Sequence, residues 1–302
     1  MMKEHLKHLY FWIIKFFQTI VSLFLVLFFN RPGTARKVRK EKEERAGRAL
    51  SLLANGPSAR DILKDRCDLI EGTDLMVLNN FGNQECFFRL KPTYYIIIDP
   101  AFFDFNFINP GLIENRADNS RSEERKLMEN FKKVDWGMTL FIPDTRAGRT
   151  SIKLYAGNPN IRVVLFNVTR VLGFNGFQSK MYRYGAGIPS SRNVIIPAMI
   201  LVTILGYKRI YLYGCELSWT KTMDVDPDNG RMFFNDRHFY SKDEIRYFGK
   251  GGYLWWLKTI VDDLEGIEQV AKYAKRYDIH IVNRTKGSFI DAFDYENPET
   301  IR

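Results

Sequence analysis

Residues 49–63 read ALSLLANGPSARDIL, and how this stretch folds decides the architecture of the chain. Ala49–Leu53 is a continuous apolar run, Asn55-Gly56-Pro57-Ser58 is a small-residue turn, and Ala59-Arg60-Asp61-Ile62-Leu63 opens a helix. A strand that turns through glycine into a helix leaves backbone N–H groups at its crest, where a phosphate or a sugar hydroxyl can approach. The same residue types also make ordinary turns. The weight of the motif therefore rests on what surrounds it.

Further apolar runs lie at Asp74–Leu78, Tyr94–Ile98, Met138–Ile142, Arg162–Phe166, Arg209–Tyr213 and His280–Val282. They are nearly continuous in Val, Ile, Leu, Phe and Tyr, as strands covered on both faces are, and they alternate with helical stretches. The predicted fold is α/β, a mainly parallel sheet with flanking helices. Helices are expected over Ile195–Leu205, ended by Gly206, and over Tyr253–Tyr277, whose apolar positions recur at helical spacing. Ligands of such sheets bind beyond the carboxyl ends of the strands. That rule singles out Asn55, Asn79 with Asn80, Asp99, and Gly214-Cys215-Glu216. The polar, aromatic segment at 218–252 ends in Gly249-Lys250-Gly251-Gly252 and reads as a mobile lid with a glycine hinge. Asn106–Lys133 is an insertion expected to pack as helices or as a surface loop.

Towards the N-terminus, Leu9–Phe29 is apolar and aromatic almost throughout, broken by Lys15, Gln18 and small hydroxyl residues. Its length matches the roughly 20 residues that cross a bilayer. Lys15 at mid-bilayer would cost on the order of 2.5–3.5 kcal/mol, so a spanning helix and a half-immersed one with a snorkelling lysine both stay open. The next residues, Asn30-Arg31-Pro32-Gly33, lack the small residues of a leader-cleavage site. Arg36-Lys37-Val38-Arg39-Lys40-Glu41-Lys42 is a basic run suited to anionic lipid on a cytoplasmic leaflet. The expected organisation is an anchor at 1–30, a basic linker at 31–48 and a single domain at 49–302, held at the inner membrane and facing the cytoplasm.

Residues 1–48 hold 11 Lys or Arg against 4 Glu, so 7 of the formal net charge of +10 sit beside the membrane segment. The basic balance is a membrane signature. No nucleic-acid partner is expected, because the body does not interleave basic clusters with aromatics. Cys67, Cys86 and Cys215, with only four histidines, give neither a disulfide framework nor a zinc cage. Asp224-Val225-Asp226-Pro227-Asp228-Asn229-Gly230 looks like a calcium loop, but its glycine falls one place late and its twelfth position is Asn235. It reads as a solvated turn.

His5 and His8 flank the apolar helix and His280 opens a strand, which leaves His238 within the lid segment. An imidazole with a pKa near 6.5 suits a general base that takes a hydroxyl proton. Glu216, just past a strand end, has the placement of a carboxylate that accepts ribose hydroxyls.

In order and spacing, several pieces resemble the bacterial sialyltransferases of glycosyltransferase family 42 and their wider relatives, which include 6-hydroxymethylpterin pyrophosphokinase-like domains. They are the Asn55-Gly56-Pro57-Ser58 turn, the strand ending Asn79-Asn80-Phe81, the Asp99-Pro100 corner, the run Leu205–Gly214, Asn235–Tyr240, and Val282–Ser288 with Ile290-Asp291. The likeness covers about residues 49–292. It implies one Rossmann-like domain, a variant of the GT-A arrangement, that holds a CMP-linked donor sugar under a lid without metal or other cofactor.

Carried over, Asn55 and Asn79 would bind the nucleotide and phosphate, with Gly56 and Ser58 in the same turn. Gly214, Cys215 and Glu216 would hold ribose and base, and His238 would be the base. The implied acceptor is a lipid-linked, lipopolysaccharide or capsule glycan; a homo-oligomer is left open. The chain departs from the family where Asp99 stands in place of Asn and Val194 in place of Ser, both on the donor's carboxylate side. Ser191, Arg192 and Asn193 are the neighbouring residues able to supply those contacts. Trp219, Arg237, Tyr240 and Tyr247 are candidates to grip the leaving phosphate. A different nucleotide-sugar donor, or a magnesium-dependent pyrophosphokinase, are the alternatives.

Overall fold

A computed structural model describes residues 2–31, 33–40, 47–104, 113, 120–240 and 244–301. Its strands are β1 (Ala49–Leu53), β2 (Asp74–Leu78), β3 (Tyr94–Ile96), β4 (Met138–Pro143), β5 (Ile161–Phe166), β6 (Arg209–Tyr213), β7 (Met223–Val225), β8 (Met232–Asp236), β9 (Glu244–Tyr247), β10 (His280–Asn283) and β11 (Asp294–Tyr295). Its helices are α1 (Met2–Phe29), α2 (Thr34–Lys40), α3 (Ala59–Asp65), α4 (Cys86–Leu90), α5 (Ser120–Lys132), α6 (Arg146–Tyr155), α7 (Asn175–Arg183), α8 (Ile195–Ile204) and α9 (Gly252–Arg276).

Among the described residues, eight strands form one sheet in the order β11-β10-β6-β1-β2-β3-β4-β5, and every pairing in it is parallel. The chain builds outward from β1 to β5 and then returns through β6 to the other side of β1. The order therefore reverses between β1 and β6, the crevice where open α/β sheets hold their ligands. This is a Rossmann-like arrangement.

Both faces are covered, which is why the strands read as unbroken apolar runs. Leu50, Leu52, Met76, Leu78 and Leu212 pack with α2, α7, α8 and α9, while Leu53, Val77, Tyr95 and Tyr213 pack with α3, α4, α5 and α6. All ten residues of α8 are buried, so it shows no polar face. Gly206 follows it with φ +99°, a left-handed value that glycine adopts without strain.

Two expectations need correction. The Tyr94–Ile98 run pairs as a strand only to Ile96, because the N–H groups of Ile98 and Asp99 turn to the Asn79 side chain. The stretch expected as a linker contains α2, which docks on the domain through buried Val38 and a hydrogen bond from Thr34 to Asp144; residues 41–46 of that stretch lie outside the described residues.

The segment expected as a lid, 218–252, is structured. β7, β8 and β9 form an antiparallel sheet around Ile113, Phe234 and Phe248, packed on Trp255 and Trp256 of α9; residues 241–243 lie outside the described residues. The Asn106–Lys133 insertion ends in α5, and its residues 106–112 and 114–119 also lie outside them.

Candidate functional site

The register Leu53↔Tyr213 brings the ends of β1 and β6 side by side, so the turns that follow touch. Gly56 N–H donates to the Gly214 carbonyl at 3.0 Å, and Ala54 N–H to the Tyr213 carbonyl at 2.8 Å. Gly214 has φ +65°, and a Cβ there would lie 2.6 Å from the Ala54 carbonyl oxygen. Gly56 is tighter: its Cβ would lie 1.5 Å from Glu216 Oε2 and 2.6 Å from the Gly214 oxygen. Glycine at both places is what lets the two turns close on each other.

Glu216 fills the crest of the β1 turn. Its Oε1 accepts the Ser58 N–H at 2.6 Å. The N–H expected for a phosphate is thus already bonded to a carboxylate of the chain itself. Burial pushes the Glu216 carboxyl above its ordinary range, while Ser58 and the nearby His238 pull it back. The Ser58 hydroxyl lies beside the same carboxylate without reaching hydrogen-bond geometry, and Glu216 Oε2 and Asn55 Oδ1 are buried with no partner. A buried polar atom left unbonded costs about 1–3 kcal/mol. Asn55 Oδ1, Ser58 Oγ and Glu216 Oε2 are three such atoms, all at the switch point.

The rim carries strain as well. Asn79 (φ +43°) and Leu217 (φ +49°) are left-handed without being glycine, and each stands just past the site end of β2 or Glu216. The Asn79 carboxamide oxygen clamps the ends of β2 and β3 by accepting Ile98 N–H at 3.0 Å, so Asn79 serves the rim's backbone. Asp99 caps its own turn through Ala101 N–H at 3.0 Å. Cys215 is fully buried; its N–H donates to Thr285 Oγ1 at 3.0 Å, its thiol turns to the Tyr213 carbonyl, and burial raises it well above the ordinary thiol range. Any contact from Cys215 to a ligand would have to come from its backbone.

The end of β8 lies across this crest. Phe239 N–H donates to the Asn55 carbonyl at 3.1 Å, and Arg60 Nε to the Phe239 carbonyl at 2.9 Å. That docking brings His238 and Tyr240 to the switch point, their rings stacked 5.2 Å apart. His238 Nε2 is 3.6 Å from Asp236 Oδ1, and the other Asp236 oxygen is held by Arg246 at 2.8 Å. Burial drives the Tyr240 phenol well above its usual range, with the charges of Asp236, Glu123 and Asp99 adding to the effect and a bond with Asn80 opposing it.

The other candidates stand apart. Ser191 Oγ donates to the Asn193 carbonyl at 2.6 Å, and the N–H groups of Arg192 and Asn193 both donate to Asp263 of α9, at 2.7 and 3.0 Å. Arg192 reaches Asp262 at 4.0 Å and Trp255 at 5.8 Å. Trp219 packs edge-on to Trp256, as part of the lid module's own core. Tyr247 donates to Asp226 at 2.7 Å in the β7–β8 hairpin, the stretch that mimics a calcium loop. Arg237 is exposed beside His238.

Asp236, Asp263 and Thr285 are the supporting residues that the sequence did not single out. For Asp236 the signal was its spacing of two from His238 at a strand end. Asp263 and Thr285 become neighbours of the rim only through the fold. Among the described residues, no three His, Cys, Asp or Glu side chains converge as a metal site would require. The chain matches no family model and no curated protein.

Proposed function

We propose that the chain is a membrane-associated transferase that binds a nucleotide-activated sugar at the β1–β6 crevice and passes the sugar to a hydroxyl acceptor. The observation carrying this reading is the pair of unpartnered buried acceptors, Asn55 Oδ1 and Glu216 Oε2, beneath a segment that presents His238. Acceptor atoms call for donors on the ligand, as ribose hydroxyls or an exocyclic amine supply and a phosphate does not. Glu216 and Asn55 would hold the nucleoside, leaving the activated sugar to extend beneath His238 and Tyr240.

Because Nε2 of His238 faces Asp236, Nδ1 is the nitrogen left for an acceptor hydroxyl. As the anomeric carbon loses its phosphate and gains the acceptor oxygen, Nδ1 takes the hydroxyl proton, and Asp236 offsets the imidazolium charge. The nucleotide leaves with the bonding electrons. CMP is the nucleotide favoured by the sequence resemblance, and an acceptor tethered to lipid at the inner leaflet suits a domain beside a membrane helix, because surface confinement raises its effective concentration.

The test is hydrolysis of CMP-, UDP-, GDP- and CDP-linked sugars by the detergent-purified full chain, with and without a chelator. Turnover of a CMP-linked sugar that resists the chelator is expected. In parallel, Glu216→Gln should weaken nucleotide binding about 10-fold or more, the worth of a charge-assisted hydrogen bond. Absence of binding to every nucleotide would overturn the proposal, and turnover confined to another nucleotide would keep the site and change the donor.

A further inference from the structure

The apolar N-terminal helix is attached to the domain along its flank and not only at its end. Ser22, almost fully buried, accepts Leu172 N–H at 2.9 Å, and Thr19 Oγ1 accepts Phe174 N–H at 3.1 Å. Trp12 lies against Phe174 at 5.7 Å, and Asn30 bonds both the Ala186 carbonyl and Thr169. A Cβ on Gly173 would sit 2.1 Å from Thr19 Oγ1, so the loop at 172–174 is fitted closely to the helix. From Trp12 to Ser22 this seam runs about 15 Å along the axis at 1.5 Å per residue.

The seam crosses the middle of the apolar stretch. The span long and apolar enough for a membrane is Glu4–Phe29, so Trp12–Ser22 would lie at the centre of a bilayer if α1 crossed it. The irregular loop at 172–174 would then be carried into hydrocarbon with Arg170, which is half-exposed and pairs with Asp262 at 3.7 Å. Irregular backbone and exposed charge are not accommodated against lipid tails.

The side chains sort the same way. At 3.6 residues per turn, Lys7, Lys15, Gln18 and Thr19 fall on the side of the helix that carries Ser22. Leu6, Leu9, Ile20, Phe24 and Leu27 fall opposite, each 48–67% exposed. α2 follows at once, docked through Val38 and presenting exposed Arg36, Lys37 and Lys40.

We propose that α1 lies in the plane of a membrane interface, its Leu6–Leu27 face in lipid and its Ser22 face on the domain, so that the chain is monotopic and seated on the bilayer. The partner is a phospholipid surface, whose acyl boundary matches the apolar face and whose anionic headgroups match the α2 cations. Lys15 then faces the polar side, and the burial cost of a lysine at mid-bilayer does not arise. The proposal is independent of the donor chemistry.

The test uses the full chain with an N-terminal and a C-terminal epitope in sealed native membrane vesicles. Protease added to one side should remove both epitopes or neither, because the helix does not cross. Separation of the two by the membrane overturns the proposal, as does loss of the N-terminal epitope from the membrane-bound chain, the result of a cleaved leader. In a background without the three native cysteines, Ser22→Cys with Leu172→Cys should cross-link in the same vesicles. A membrane-bound, folded protein that fails to cross-link would show an undocked helix and overturn the seated arrangement.

Discussion

Two loops at the carboxyl edge of the sheet each lead into a helix, and they treat their polar groups in opposite ways. In the 190–193 loop, Asp263 receives two N–H groups, Ser191 bonds the Asn193 carbonyl, and Asn193 receives Ile195 N–H at 3.0 Å. At the 55–58 turn, Asn55 Oδ1 and Glu216 Oε2 are buried and unpartnered, and glycine is required to fit the carboxylate at all. The first loop commits its polar groups to its own shape; the second keeps some in reserve. Sequence composition favours both equally, since each is rich in Ser, Asn and Gly or Arg. The difference lies in what the rest of the fold supplies to each.

The strongest way to break this contrast is His238→Ala. If the residue over the 55–58 turn is the base, its removal should lower transfer about 10²- to 10⁴-fold while nucleotide affinity stays within a few-fold. Parallel kinetics and calorimetric binding separate the two quantities. Equal loss of both would make His238 a binding or structural residue.

Gly56→Ala tests the close approach itself. A methyl placed 1.5 Å from Glu216 Oε2 and 2.6 Å from backbone forces the carboxylate off the crest and parts the two turns. Overpacking of this kind costs about 1–3 kcal/mol, readable as a lowered denaturant midpoint, and nucleotide binding should fall with it. Unchanged stability and binding would mean that Glu216 sits elsewhere in solution.

Much of this was legible in the sequence. The strands β1, β2 and β6 are bounded where their apolar runs end, because burial on both faces demands continuous apolar side chains. The ends of those runs also placed Asn55, Glu216 and Gly214 at one rim. Reading further failed wherever a side chain's partner comes from a distant element. Asp263 lies 70 residues from the Asn193 N–H it accepts, and Thr285 lies 70 from the Cys215 N–H that it accepts. The strands inside the lid segment went unread for another reason: β7, β8 and β9 are short and their apolar face is filled by Trp255 and Trp256 of α9, so the segment alone looks too polar for a core. Asn79 was read only as a ligand contact, and its carboxamide oxygen also clamps the backbone at Ile98, a bond that the sequence does not show.

Asp263 offers a smaller and sharper test, because the satisfied loop rests on it. Burial raises its carboxyl from 3.8 to about 6, even though two N–H groups hold the charged form. The folded chain therefore binds a proton that the unfolded chain has released between about pH 4 and 6, and stability falls as pH rises through that window. Asp263→Asn keeps an oxygen acceptor and removes the titration. Its unfolding midpoint should vary less between pH 4 and 6, with a gain of up to about 3 kcal/mol at neutral pH, since a tenfold change in proton affinity is worth about 1.4 kcal/mol. A variant whose pH profile matches the parent would place the titration elsewhere.

The smallest expected effect bears most directly on the contrast. The Arg192 side chain is half-exposed, and its guanidinium lies 4.0 Å from an Asp262 oxygen and 5.8 Å from the Trp255 ring. Exposed pairs of this kind contribute about 0–1 kcal/mol, so Arg192→Ala should barely move the unfolding midpoint. If the satisfied loop holds no ligand, nucleotide affinity should also stay within about twofold, because the N–H groups of 192 and 193 remain on Asp263 and need no side chain from Arg192. A tenfold loss of affinity with the fold intact would show that the guanidinium swings from Asp262 to the nucleotide's phosphate. The 190–193 loop would then belong to the donor site. Polar atoms satisfied within the chain would no longer mark a loop as idle, and unpartnered atoms would locate only the nucleoside end of the ligand.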